Sequence, residues 1–303
     1  MADLFDDVQD FPDPQAQDRY DSLVGLDRLK EMLARQAKIL IRPDLLESWS
    51  EQHFDRTLPA VRAMRRRPPL FLFAGDVGTG KSTLAETFGD RLARDERVDV
   101  QLLRLSLSSR GQGSVGEMTA LITRAFAELS ESVPKPSGKP KNVGILLIDE
   151  ADAIAQSRDA VQMHHEDRAG VNALIRGVDA VALSEKPIIT VLCTNRLDAI
   201  DPAVRRRAFG EYLFERPSSE QRRALMASLF EGVELTDGDL DGLAELTGEG
   251  DRSYGATWSD LTVRFVSAAI LDAFPSEAIT GEQLLRVAKT LPVTPPFGLA
   301  QRA

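Results

Sequence analysis

A chain of 303 residues with 43% hydrophobic and 28% charged content has apolar mass for two domains with cores of their own, which excludes a protein disordered over most of its length. The formal net charge of −10 argues against broad nonspecific affinity for nucleic acid or an anionic membrane. One cysteine, Cys193, excludes an internal disulfide framework, and an acidic N-terminus without any long apolar run speaks against a signal peptide or membrane span, so cytoplasmic residence is expected.

Residues 1–19 carry Asp3, Asp6, Asp7, Asp10, Asp13 and Asp18 with Pro12 and Pro14, and read as an acidic disordered tail. From Leu26 to about Ile41 an apolar stripe of Leu29, Met32, Leu33 and Ala37 predicts a helix ended by Pro43. A weaker helical stretch precedes Pro59, and the basic run Arg62 to Arg67 reads as a solvated linker. Short apolar runs then alternate with helical patterns: strand 70–74, helix 81–94, strand 99–105, helix 117–130, strand 143–148, a helix to about Ser157, helix 167–182 and strand 188–193. Such alternation predicts a parallel sheet wrapped by helices. Residues 134–141, rich in Pro and Lys, predict an exposed linker, and His164 with His165 lie in a polar loop without the further ligands that a metal site needs. After Arg216-Pro217 no strand-like runs remain, and helices are expected near 218–231, 236–247, 257–274 and 280–290. The expected organisation is thus a tail over 1–19, a large α/β domain over 20–216, a small helical domain over 217–293 and a C-terminal tail over 294–303.

Two motifs carry chemistry. The run Gly75-Asp76-Val77-Gly78-Thr79-Gly80-Lys81-Ser82 joins an apolar strand to a helix, as a phosphate-binding loop requires. The glycines let backbone N–H groups curl round phosphates at a helix N-terminus, Lys81 reaches the terminal phosphates and the Ser82 hydroxyl suits magnesium, with Thr83 next in the helix. The strand ending at Ile148 delivers Asp149 and Glu150 side by side at its carboxyl end, where ligands bind in open α/β sheets. Asp149 is suited to hold Mg²⁺ through water and Glu150 to polarise an attacking water. ATP and Mg²⁺ are the expected cofactors.

In order along the chain, the phosphate loop, Ile148-Asp149-Glu150, Thr194-Asn195 and Asp201-Pro202-Ala203-Val204-Arg205-Arg206-Arg207 resemble the AAA+ ATPases, from Asp21 to about Leu291. The resemblance implies a P-loop sheet followed by a helical lid. It also implies that Asn195 senses the γ-phosphate, that Arg206 and Arg207 are arginine fingers completing a neighbour's site, and that the active form is a homo-hexameric ring. Tyr20 to Leu26 is similar to the family's lead-in segment, giving Leu23, Val24 and Gly25 the role of cradling adenine. The stretch Asp167 to Asp179 looks most like the pachytene-checkpoint-type members, which remodel HORMA-domain proteins and in bacteria are associated with antiviral signalling operons. Two departures stand out. The loop Ser108 to Gly116, where threading rings carry an aromatic, offers only Arg110, Gln112 and Val115 to a substrate in the pore, and Ser259 occupies the place of a second sensor arginine, with Arg264 a substitute further along. Trp258, Leu261, Phe265 and Ala268 make an apolar stripe on that helix. The implied function is ATP hydrolysis coupled to remodelling of a HORMA-like protein. The alternative is a nucleic-acid-associated switch or loader, against which the acidic charge and the lack of an added DNA-binding module both count.

Overall fold

All four predicted strands stand where their apolar runs placed them, in a computed structural model that describes residues 4–105, 116–155, 165–250 and 253–297. The chain divides into two units, one made of residues 1–74 and 82–213, the other of residues 75–81 and 214–303. The first contains β1 (Phe5–Phe11), α1 (Pro14–Asp21), α2 (Asp27–Ile41), α3 (Pro43–Phe54), α4 (Pro59–Arg65) and β2 (Leu70–Gly75). It continues with α5 (Lys81–Glu96), β3 (Asp99–Leu105), α6 (Glu117–Ser132), β4 (Asn142–Ile148), α7 (His165–Ser184), β5 (Ile188–Thr194), α8 (Pro202–Arg205) and β6 (Gly210–Phe214). The sheet order is β1-β3-β4-β5-β2-β6.

The pairs β3·β4, β4·β5 and β2·β5 are parallel, so the carboxyl ends of these four strands share one edge of the sheet. Every residue of β5 is buried, as is β4 after its first residue, which is why both read as unbroken apolar runs. One core layer joins Leu146, Ile148 and Leu192 of the sheet to Ile122, Phe126 and Leu129 of α6 and to Leu174 and Val178 of α7. The two helices touch at Gly177, where an added Cβ would stand 2.2 Å from the Phe126 ring.

The acidic N-terminus is not the disordered tail expected. Residues Phe5 to Phe11 pair antiparallel with β3, from Phe5 opposite Leu105 to Phe11 opposite Val100, which makes the sheet mixed. Leu4, Phe5 and Phe11 are buried while Asp6, Asp7 and Asp10 face out, so the acids mark the solvent side of an edge strand. Asp13 then caps α1, accepting from the N–H groups of Gln15 and Ala16, and its own N–H donates to Asp90 at 2.7 Å. Averaged composition hid a few well-placed apolar anchors. The basic run at 62–67 is likewise mostly helical, since Pro59 opens α4 and Val61 is buried. The short β6 went unread because only Tyr212 and Phe214 are buried in it. After Glu150 the chain makes a single 3₁₀ turn, Ala151–Ala153, in place of a helix, and residues 156–164 with His164 lie outside the described residues.

The second unit packs α9 (Ser219–Leu229), α10 (Asp237–Leu246), α11 (Val266–Ala273) and α12 (Gly281–Thr290) round Leu225, Leu243, Trp258, Phe265 and Leu284. Side-chain capping boxes start α9, α10 and α12. The stripe on the helix preceding α11 shifts by one position: Leu261, Phe265 and Ala269 are buried and Ala268 is exposed. The turn over Asp260–Phe265 is a π-helix, whose wider winding advances the buried face by one residue. Nor are residues 294–297 a free tail, because Thr294 donates its N–H and its hydroxyl to Asp260, at 3.0 and 2.7 Å. Among the described residues no helix is long and apolar enough to cross a membrane.

Candidate active site

Residues 75–81 of the phosphate loop belong to the second unit, and Ser82 to the first. Gly78 sits at φ 76°, in the left-handed region that a Cβ disfavours, and an added Cβ would also stand 2.8 Å from the Thr257 hydroxyl. The Gly78 carbonyl accepts from the Ser259 N–H at 3.0 Å, so the residue standing where a sensor arginine was expected holds the loop by its backbone. Lys81 is only 6% exposed, and its ammonium donates to the Asp76 carbonyl at 2.6 Å. The Thr79 hydroxyl donates to the same carbonyl at 2.7 Å. A buried cation at the head of a helix, after a glycine-rich loop, is the combination that a phosphate completes.

The carboxylates lie in the first unit, at the carboxyl end of β4. Asp149 is half-buried: its Oδ1 accepts the Glu150 N–H at 2.9 Å and its Oδ2 faces Arg104 Nη2 at 3.4 Å. Arg104 also donates to Glu86 at 2.9 Å. Sequence reading missed this arginine, although a charged residue one place before the end of a largely buried strand, paired with Leu147 of β4, was the available signal. Glu150 is exposed and stands at φ 52°, ψ 41°. That conformation costs a non-glycine residue about 1 kcal/mol and recurs where a side chain is aimed for function. Adjacent carboxylates thus have different surroundings, one held and one open to solvent. At the end of β5, the Thr194 hydroxyl donates to Asp152 at 2.9 Å and accepts the Arg196 N–H at 2.9 Å, fixing the turn that carries half-buried Asn195.

The three consecutive arginines have three fates. Arg205 makes a fork to Glu211 at 3.1 and 2.9 Å, and Arg207 makes one to Asp179 at 2.8 and 3.0 Å while donating to the Ala203 carbonyl. Hydrogen bonding to Asp179 holds the Arg207 guanidinium above its ordinary pKa. Arg206 is exposed and forms no ion pair with another described residue. Asp201 caps α8 through the Ala203 N–H at 2.7 Å, and its own N–H donates to the Ala155 carbonyl, anchoring the turn that presents them. Leu23, Val24 and Gly25 form the connection between α1 and α2, Val24 being exposed and Gly25 at φ 73°. Beside them burial pushes the Tyr20 hydroxyl up to about 12, and Lys30 lies over its ring at 4.5 Å. Arg110, Gln112 and Val115 lie outside the described residues.

The sequence profile of the ATPase family associated with various cellular activities (AAA) matches residues 71–216. CD-NTase-associated protein 6 of Escherichia coli (strain MS 115-1) is 45% identical over 301 residues, 98% of this chain and 97% of that protein. The chain belongs to the AAA ATPase family. Within it the chain is Trip13-like: Trip13 in the structure of the E. coli MS115-1 HORMA:CdnC:Trip13 complex matches with a TM-score of 0.92 and 45% identity over 98% of both chains. Rhizobiales Trip13 matches at 0.78 and 38% identity over 97% of this chain and all of that one. Membership of this family carries ATPase activity. The donors present fit magnesium. Ser82 and Asp149 offer the hard oxygens that magnesium takes beside nucleotide phosphates and water.

Proposed function

We propose that this AAA ATPase is a Mg²⁺-dependent, cytoplasmic enzyme acting as a homo-hexameric ring to remodel a HORMA-domain protein in bacterial antiviral signalling. The observation that carries this reading is the end-to-end match to CD-NTase-associated protein 6 and to Trip13 of a HORMA:CdnC:Trip13 complex. Gly75 to Thr83 bind the phosphates, and Leu23, Val24 and Gly25 cradle the adenine. Ser82 and Asp149 hold Mg²⁺, which supplies charge neutralisation at the β- and γ-phosphates. Glu150 takes the proton side of the attacking water, Asn195 orients that water, and Arg206 and Arg207 stabilise the developing charge in the next protomer's site. Arg110, Gln112 and Val115 contact the substrate protein. The acidic composition supports a protein partner over nucleic acid.

Lys81→Ala is expected to abolish tight ATP binding, whereas Glu150→Gln keeps binding and loses turnover. The Glu150→Gln ring, loaded with ATP, should retain a HORMA-domain protein supplied to it, and the parent's ATPase rate should rise with that protein. Hydrolysis stimulated by DNA and indifferent to the HORMA protein would reverse the assignment. Rings mixed from Arg206→Ala/Arg207→Ala and Glu150→Gln subunits, each inactive alone, should regain part of the activity, since some interfaces then hold a complete set.

A further inference from the structure

Arg216 is a residue that no motif singles out. In the second unit its Nε donates to Asp76 Oδ2 at 2.9 Å, and its Nη1 donates to the carbonyls of Gly255 at 2.6 Å and Thr294 at 2.8 Å. The guanidinium also lies over the Tyr254 ring at 5.4 Å. One planar cation therefore joins the phosphate loop, the segment before the π-turn and the C-terminal strap. The strap is fixed on its other side by Asp260, which receives Thr294 twice and also accepts the Thr257 N–H at 3.0 Å. The Phe297 N–H reaches the second Asp76 oxygen at 3.4 Å.

Asp76 is thus gripped at both ends. Its carboxylate takes Arg216, while its carbonyl takes the Thr79 hydroxyl and the Lys81 ammonium. Arg216 Nη2, meanwhile, is buried without a hydrogen-bond partner among the described residues. A buried guanidinium donor left unsatisfied is costly, so the network has room for another acceptor.

We infer that Arg216 is a positioning residue for nucleotide binding: through Asp76 it sets the phosphate loop against the C-terminal strap Thr294–Phe297, and so fixes where Lys81 stands. The inference rests on the chain's binding ATP and needs neither the ring nor the HORMA partner. A lysine cannot replace it, because a single ammonium lacks the fork that spans three acceptors.

The test measures ADP binding with Mg²⁺ by calorimetry, which involves no turnover and no partner, for Arg216→Gln, Asp76→Asn and the double variant. Losing a charge-assisted hydrogen bond of this kind should weaken ADP binding about tenfold or more in each single variant. The double variant should bind no more than about threefold worse than the weaker single, since both changes break one contact. In steady state Arg216→Gln should raise the KM for ATP with kcat at saturation little changed, and Arg216→Lys should fall between it and the parent. Asp76 is partly exposed, so Asp76→Asn is expected to fold and keeps the test open if Arg216→Gln does not. Single effects that multiply in the double variant, or an Asp76→Asn affinity equal to the parent's, would overturn the inference.

Discussion

Phe11 decides whether the N-terminus is a tail or part of the fold. Its ring is 3% exposed and lies against α5, close enough that a Cβ at Gly89 would meet it at 2.8 Å. Phe11→Ala empties that space under a helix whose backbone is already in contact, so little collapse is available to refill it. Such a change costs about 3–5 kcal/mol, a large fraction of the roughly 5–15 kcal/mol that holds a folded domain. Val8, in the same strand but 43% exposed, provides the control, and Val8→Ala should shift stability by no more than about 0.5 kcal/mol. Urea unfolding followed by tryptophan fluorescence and far-UV dichroism gives both values. Hydrogen exchange adds a local reading, because the β1 amides bonded to β3 should be protected in the parent and exposed in the variant. A Phe11→Ala midpoint equal to the parent's, or β1 amides that exchange at the free rate in the parent, would refute the edge strand.

Gly78→Ala combines left-handed strain of about 1–2 kcal/mol with a clash at Thr257, so nucleotide binding should be lost in a chain that still unfolds cooperatively; undiminished ADP affinity in calorimetry would contradict it. Arg206→Ala and Arg207→Ala should each slow hydrolysis, by about a thousandfold or more for a true finger. Only Arg207→Ala should also lower the melting temperature, by the equivalent of about 0.5–1 kcal/mol, because it alone leaves a forked partner, Asp179, and that pair is partly screened by solvent. Asp260 gives a pH signature. Burial alone would raise its pKa, but bonds from Thr257 and Thr294 outweigh burial and hold it below the ordinary carboxylate value. With the folded value below the unfolded one, its contribution is complete above roughly pH 4 and is lost as pH falls through the folded value. Asp260→Asn should therefore melt lower at pH 7 and lose less on acidification than the parent, and an unchanged acid slope in thermal melts from pH 7 to pH 3 would clear Asp260 of that role.

Short-range chemistry was legible in the residues alone. A phosphate loop needs its glycines, lysine and serine consecutive, and two carboxylates at a strand end need only adjacency, so Gly75 to Ser82 and Asp149-Glu150 could be singled out as candidates from the residues alone, and the central strands could be placed because burial on both faces makes them uniformly apolar. Tertiary structure decided what depends on a distant partner. Phe5 and Phe11 became a strand because β3 offered an edge, the stripe behind Trp258 moved from Ala268 to Ala269 because a π-turn intervened, and Thr294 was fixed by Asp260. Arg104 shows at most as a charge near the end of a largely buried strand, and Arg216 shows nothing in its neighbours along the chain, since each is defined by the carboxylate it meets, Asp149 from 45 residues away and Asp76 from 140. A charge whose partner is remote in sequence looks like any surface charge until the chain folds and brings the two together.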